Sequence, residues 1–158
     1  MLGIGNILLR DDGVGVRALE ALRRGFSFPG NVALIDGGTT IFHNMGIFAG
    51  AEKMIVFDAV KLDGPPGTVY AFNPDEYRVK LPRKATSHDV GVLNTLSMME
   101  LIGQKPPEVI IIGAQPKEYD QWGEELTPEA AAAIPEMVRR AVEQLAKWGS
   151  APTAKRAV

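Results

Sequence analysis

The sequence predicts one α/β domain built on a largely parallel sheet that carries a single antiparallel strand. Three observations lead there. Five short runs rich in β-branched and other apolar residues, at 2–4, 32–35, 54–57, 69–72 and 109–112, alternate with stretches of helical period. The link between the third and fourth runs contains "LDGPPG", too short for a crossover helix, so those two runs are expected as an antiparallel hairpin. Finally, 158 residues at 46% hydrophobic and 23% charged suffice for one hydrophobic core, with composition near the globular average.

Each element follows from local chemistry. The first run, 2–4, is a stub shorter than an ordinary strand, which suggests that residues ahead of it have been lost. Val14, Ala18 and Leu22 lie at helical spacing, with Leu19 widening the stripe, so 14–24 reads as an amphipathic helix. Ile41, Met45 and Phe48 repeat at i, i+4 and i+7 and predict a second, short helix. A third is expected from about 88 to 102, with Ser87 as N-cap. The last begins at Thr127, which can cap, and Pro128, which suits a first turn; Gly149 stops it and Pro135 is expected to kink or divide it. Residues 1–149 therefore form the domain, and 150–158, without apolar period, are expected as a flexible C-terminal tail.

A net charge of −2 offers no electrostatic case for nucleic acid or an anionic membrane. No apolar run is long enough to span a bilayer and no basic leader precedes one, so a soluble cytoplasmic protein without membrane insertion is expected. With no cysteine, thiolate metal sites, iron-sulfur clusters and a cysteine nucleophile are excluded, and any metal must be held by nitrogen and oxygen.

Ligands of parallel open sheets gather beyond the carboxyl ends of the strands. Acidic residues stand there: Asp11 and Asp12 in "GIGNILLRDDGVG", Asp36 in "LIDGGTT" and Asp58 in "IVFDAV". His88 in "TSHDVG" opens the third helix within reach of the same edge; His43, the other histidine, falls inside a helical pattern and reads as structural. Singly, each has a plain alternative. Asp11 or Asp12 reads equally as a helix cap, Asp36 before two glycines as a turn aspartate, and His88 as a surface or capping residue. Asp58 is harder to dismiss, because it ends an apolar strand and must reach the sheet edge or be buried at a cost. Taken together, one imidazole and two or three carboxylates suit a borderline divalent ion such as nickel or zinc. Rival chemistries lack their motifs. The third position of a dinucleotide fingerprint carries Leu8, and neither GxxxxGK[ST], GxSxG nor HExxH occurs, so no nucleotide is expected.

The ordered set "GIGNILLRDDGVG", "DGGT", "FDAV", "PPGTV" and "SHDVG" resembles the hydrogenase maturation endopeptidases, which process the large subunit of nickel-iron hydrogenases. The resemblance runs from residue 2 to about 149 and implies a three-layer α/β/α fold, with a twisted, mostly parallel mixed five-stranded sheet and helices on both faces. It implies that Asp12, Asp58 and His88 are the catalytic and nickel-binding residues, Asp12 standing where many relatives carry glutamate. Asp36, Gly37, Gly38 and Thr39 match the motif tied to substrate recognition, and Asp11 is left to the turn or cap. The implied activity is removal of the C-terminal extension of the hydrogenase large-subunit precursor after nickel insertion, with nickel carried by that precursor as the recognition signal. Two alternatives stand beside it: a non-proteolytic metal-binding or chaperone module, and a related peptidase with another substrate.

Overall fold

The computed structural model describes residues 1–39, 45–80 and 91–155. Its central sheet has five strands in the order β3-β1-β4-β6-β5. These are β1 (Leu2–Ile4), β3 (Ile35–Gly38), β4 (Lys53–Ala59), β5 (Val69–Phe72) and β6 (Glu108–Ala114). The β1/β3, β1/β4 and β4/β6 pairs are parallel, and β5 alone runs antiparallel. Helices α1 (Val14–Gly25), α2 (Met45–Ala49), α3 (Pro74–Lys80), α4 (Gly91–Leu101) and α5 (Pro128–Lys147) cover the sheet, and a separate two-stranded ladder joins β2 (Phe26–Ser27) to β7 (Thr153–Ala154).

The period-2 alternation of β4 and β6 divides the core in two. Ile55, Phe57, Ala59, Ile112 and Ala114 pack with the α1 stripe of Val14, Ala18, Leu19 and Leu22 and with Ala133, Met137 and Ala141 of α5. On the other face Met54, Val56, Val109 and Ile111 pack with Phe48 of α2, Tyr77 of α3 and Val92, Leu96 and Met99 of α4. The result is the three-layer α/β/α arrangement with helices on both faces. No helix among the described residues is long and apolar enough to cross a membrane.

The hairpin expectation is corrected. β5 is antiparallel, but its partner is β6, with Val69 opposite Ala114 and Phe72 opposite Ile111. Both edges of β4 are already taken, by β1 and β6, so residues 60–68 step across the end of β6 instead. A step of two strands is about 10 Å, well within reach of such a link. Gln115 pins it on three sides: its backbone N donates to the Thr68 carbonyl (2.8 Å), its carbonyl accepts from Gly67 N (2.8 Å), and its side chain accepts from Leu62 N (2.8 Å). Gly113 makes the crossing sterically possible, since a Cβ there would stand 2.2 Å from Val60 Cγ2.

Other boundaries shift for local reasons. The second run enters the sheet as Ile35–Gly38 rather than 32–35, because parallel pairing with Leu2, Gly3 and Ile4 recruits residues of poor strand propensity. Pro135 does not divide α5, which runs unbroken over 20 residues. Pro135 and Ala131 are both exposed, so the backbone bond that proline removes lies on the solvent side. Thr127 caps the helix as expected, its Oγ1 accepting from Ala130 N at 3.3 Å. Helix α3 was not expected, although its capping box is legible: Asn73 Oδ1 accepts from Glu76 N (2.9 Å) and Glu76 Oε2 accepts from Asn73 N (3.0 Å). The segment expected as a tail forms β7, and Lys155 N donates to the Gly25 carbonyl at 2.8 Å. The expected Ser87 cap and the start of the third helix lie outside the described residues, as does His43.

Candidate active site

Beyond Ile4 the chain turns back sharply at Gly5, whose φ of 130° only glycine adopts freely and where a Cβ would fall 1.8 Å from the Asp12 carbonyl oxygen. A 3-10 turn, Arg10–Gly13, then leads into α1. The first turn of α1 sits directly on the strand ends. A Cβ at Gly15 would lie 2.4 Å from the carbonyl oxygens of both Ile4 and Phe57, so Gly15 is where this helix approaches the strands. The 3-10 turn also packs against β4. Asp12 and Asp58 are thereby brought to one edge of the sheet, at the carboxyl ends of neighbouring strands.

Both carboxylates are buried, Asp12 at 5% exposure and Asp58 at 7%. Asp12 Oδ2 accepts from Asn6 N at 2.7 Å, and Asp58 Oδ1 accepts from Ala59 N at 2.8 Å. Alternation puts Asp58 on the Met54 and Val56 face of β4, the face against which Val92 and Leu93 of α4 pack. His88 lies outside the described residues, three positions ahead of the first residue of α4. Among the described residues, no group of three or more His, Asp or Glu is placed to hold a metal ion.

The "DGGT" stretch reaches the same edge two strands away. Ile4 of β1 pairs with Gly38, and the Leu2–Val56 register carries Asp58 to about the same level, so roughly 10 Å of sheet separates Gly38 from Asp58. Asp36 lies within β3 rather than beyond it and is exposed; its Oδ1 accepts from Gly38 N at 2.9 Å, the geometry of a turn aspartate. Gly37 is buried and Thr39 exposed.

Asp11, expected in the turn or as a cap, makes no cap bond to the helix that follows it. Fully buried, it receives four hydrogen bonds from the far side of the chain: Oδ2 accepts from Lys117 N (2.9 Å), Glu118 N (3.0 Å) and Thr127 Oγ1 (2.8 Å), and Oδ1 accepts from Thr127 N (2.8 Å). It ties the 3-10 turn to the loop that precedes α5. Arg10 adds an ion pair with Glu118, and its N donates to the Gly123 carbonyl at 2.7 Å. Lys61, just past Asp58, lies over the Tyr119 ring at 3.2 Å from its centroid, so the same loop meets the β4 exit. Spacing gave no sign that Thr127 or residues 117–118 would meet Asp11, because those contacts span 106 to 116 positions.

Comparison with known proteins finds relatives along nearly the whole chain. The family model described as hydrogenase maturation protease matches residues 16–144, a span that includes Asp58 and His88. The chain is 37% identical over 150 residues to hydrogenase expression/formation protein HupD of Bradyrhizobium diazoefficiens, covering 94% of this chain and 78% of that relative. It is 32% identical over 146 residues to the hydrogenase 2 maturation protease of Escherichia coli, covering 92% and 86%. Among solved structures, the hydrogenase maturating endopeptidase HybD from E. coli superposes with a TM-score of 0.89 at 29% identity, covering 98% of this chain and 95% of that one. HybD from Thermococcus kodakarensis gives 0.71 at 30%, covering 92% and 96%.

Proposed function

The chain belongs to the hydrogenase maturation protease family, and from that premise we propose that it removes the C-terminal extension of a nickel-iron hydrogenase large-subunit precursor once nickel has been inserted. Membership makes it a hydrolase and an endopeptidase. The observation that carries the finer reading is the pair of buried carboxylates, Asp12 and Asp58, held at the carboxyl ends of neighbouring strands.

In this reading nickel arrives as part of the substrate and marks a precursor ready for cutting. Asp12, Asp58 and His88 are the oxygen and nitrogen donors that face it, a set suited to a borderline ion. A carboxylate fixed by a backbone N–H, as Asp12 is by Asn6, holds one orientation, and so can position a water and take its proton as that water attacks the scissile carbonyl. Gly37, Gly38 and Thr39, with Asp36 shaping their turn, present backbone at the same edge for the extended segment to be cut. No nucleotide takes part, and a cytoplasmic setting belongs to the same proposal.

The test is processing of a nickel-loaded precursor followed by mass spectrometry, with Asp58→Asn and His88→Ala beside the unaltered protein. Loss of the extension with the unaltered protein alone, and no cutting of nickel-free precursor, is the expected result. A cognate precursor that stays whole while the protein binds nickel would replace this reading with the non-proteolytic metal-binding module.

A further inference from the structure

Resting on the reading of this chain as a protease that acts on a folded protein, we propose that Trp122 and Leu8, with Ile7 beside them, form the surface on which the body of the large-subunit precursor docks. Trp122 is 79% exposed, Leu8 44% and Ile7 39%, an unusual display of large apolar side chains on two adjoining loops. The backbone holds them side by side: Gly123 N donates to the Leu8 carbonyl at 2.9 Å, and Leu9 bridges Gly123 in parallel.

A second, independent observation joins this patch to the candidate site. Asn6 N donates to Asp12 Oδ2 at 2.7 Å, while Asn6 Oδ1 accepts from Leu8 N at 3.0 Å. One asparagine thus fixes the Leu8 loop to the carboxylate that faces the cut. From the other side, the four bonds to Asp11 and the Arg10–Glu118 pair anchor the loop that bears Trp122. The backbone under the patch is held on both sides while its side chains stay in water. Such a surface loses little freedom when covered, the condition under which an exposed tryptophan becomes an anchor. The occupant is an apolar area of the precursor's folded body next to its C-terminal segment. A protein seated there would present that segment in register with Asp12.

The experiment measures kcat and KM separately for cleavage of nickel-loaded precursor by the unaltered protein, Trp122→Ala, Trp122→Phe, Leu8→Ser and, as a distant exposed apolar control, Leu101→Ser. Trp122→Ala and Leu8→Ser should each raise KM by about tenfold with kcat within about twofold, as expected for loss of a docking anchor. Trp122→Phe should recover most of the loss, and Leu101→Ser should change neither constant. An unchanged KM in Trp122→Ala and Leu8→Ser, or a fall in kcat alone, overturns the docking surface while leaving the protease reading intact. Failure of the unaltered protein to cleave overturns both.

Discussion

Two adjacent aspartates, both buried, should fail in opposite ways when made neutral. Asp11→Asn keeps the shape of the side chain but turns an acceptor oxygen into an NH2 group. If the amide oxygen stays at the Oδ2 position, the new NH2 faces Thr127 N, a donor that now sits at 2.8 Å. That leaves a buried N–H without an acceptor, at about 1–3 kcal/mol. The bonds from Lys117 N, Glu118 N and Thr127 Oγ1 survive but lose their charge assistance, roughly 0.5–1 kcal/mol each. The total is about 2.5–6 kcal/mol, which for a chain of this size lowers Tm by roughly 5–25 °C. Asp12→Asn loses the charge behind one bond, from Asn6 N, and should cost about 1 kcal/mol. Urea denaturation and thermal melts of the two variants measure the difference, and precursor cleavage is assayed well below both transitions. Asp12→Asn should melt close to the unaltered protein and be inactive; Asp11→Asn should melt early. An Asp11→Asn variant within 2 °C of the unaltered protein, or one less perturbed than Asp12→Asn, would refute the account of Asp11 as the tie between the two halves of the chain.

Gly15→Ala should destabilise by about 3 kcal/mol or more, read by urea denaturation, because its Cβ would stand 2.4 Å from two backbone oxygens that cannot move without shifting β1 or β4. Thr127→Val removes both a donor to Asp11 and the acceptor that caps α5, so a loss of about 2–3 kcal/mol is expected, with the change concentrated in hydrogen exchange at the start of α5. Glu136, hydrogen-bonded by Arg139 and Arg140, has its carboxyl lowered to about 2. Its folded value lies below its unfolded value near 4.5, so whatever stability it adds is present above that pH and is lost as pH falls toward 2. Glu136→Gln should therefore flatten the fall of Tm across that window, the more so at low salt, since the group is only half-buried.

Much of this was legible in the residues. The α1 stripe of Val14, Ala18, Leu19 and Leu22 is buried as its spacing requires, and the Thr127–Pro128 start of α5 is where capping chemistry puts it. Asp58 reaches the strand end that its apolar approach implied. What misled was one step longer than local. A link too short for a crossover helix still reaches past a neighbouring strand, so β5 lies on β6 and not on β4. The turn reading of Asp36 holds, its Oδ1 accepting from Gly38 N, but the stretch that β1 could pair began at Ile35, so the aspartate lies inside the strand and not beyond it. Residues 150–155 carry no period because a two-residue strand has none to show.

The sequence by itself determined that the fold is a mixed α/β sheet, the buried stripe of α1 and the capped start of α5, since each depends on side-chain period or on the residue type at a helix start. Only the tertiary structure decided which distant groups Asp11 ties together, and that the Leu8 and Gly123 backbones meet. The carboxylates are neighbours in the chain, but Asp11's partners lie 106 to 116 positions away. A hydrogen bond depends on which backbone N–H groups folding delivers to within about 3 Å, and no local pattern encodes that delivery.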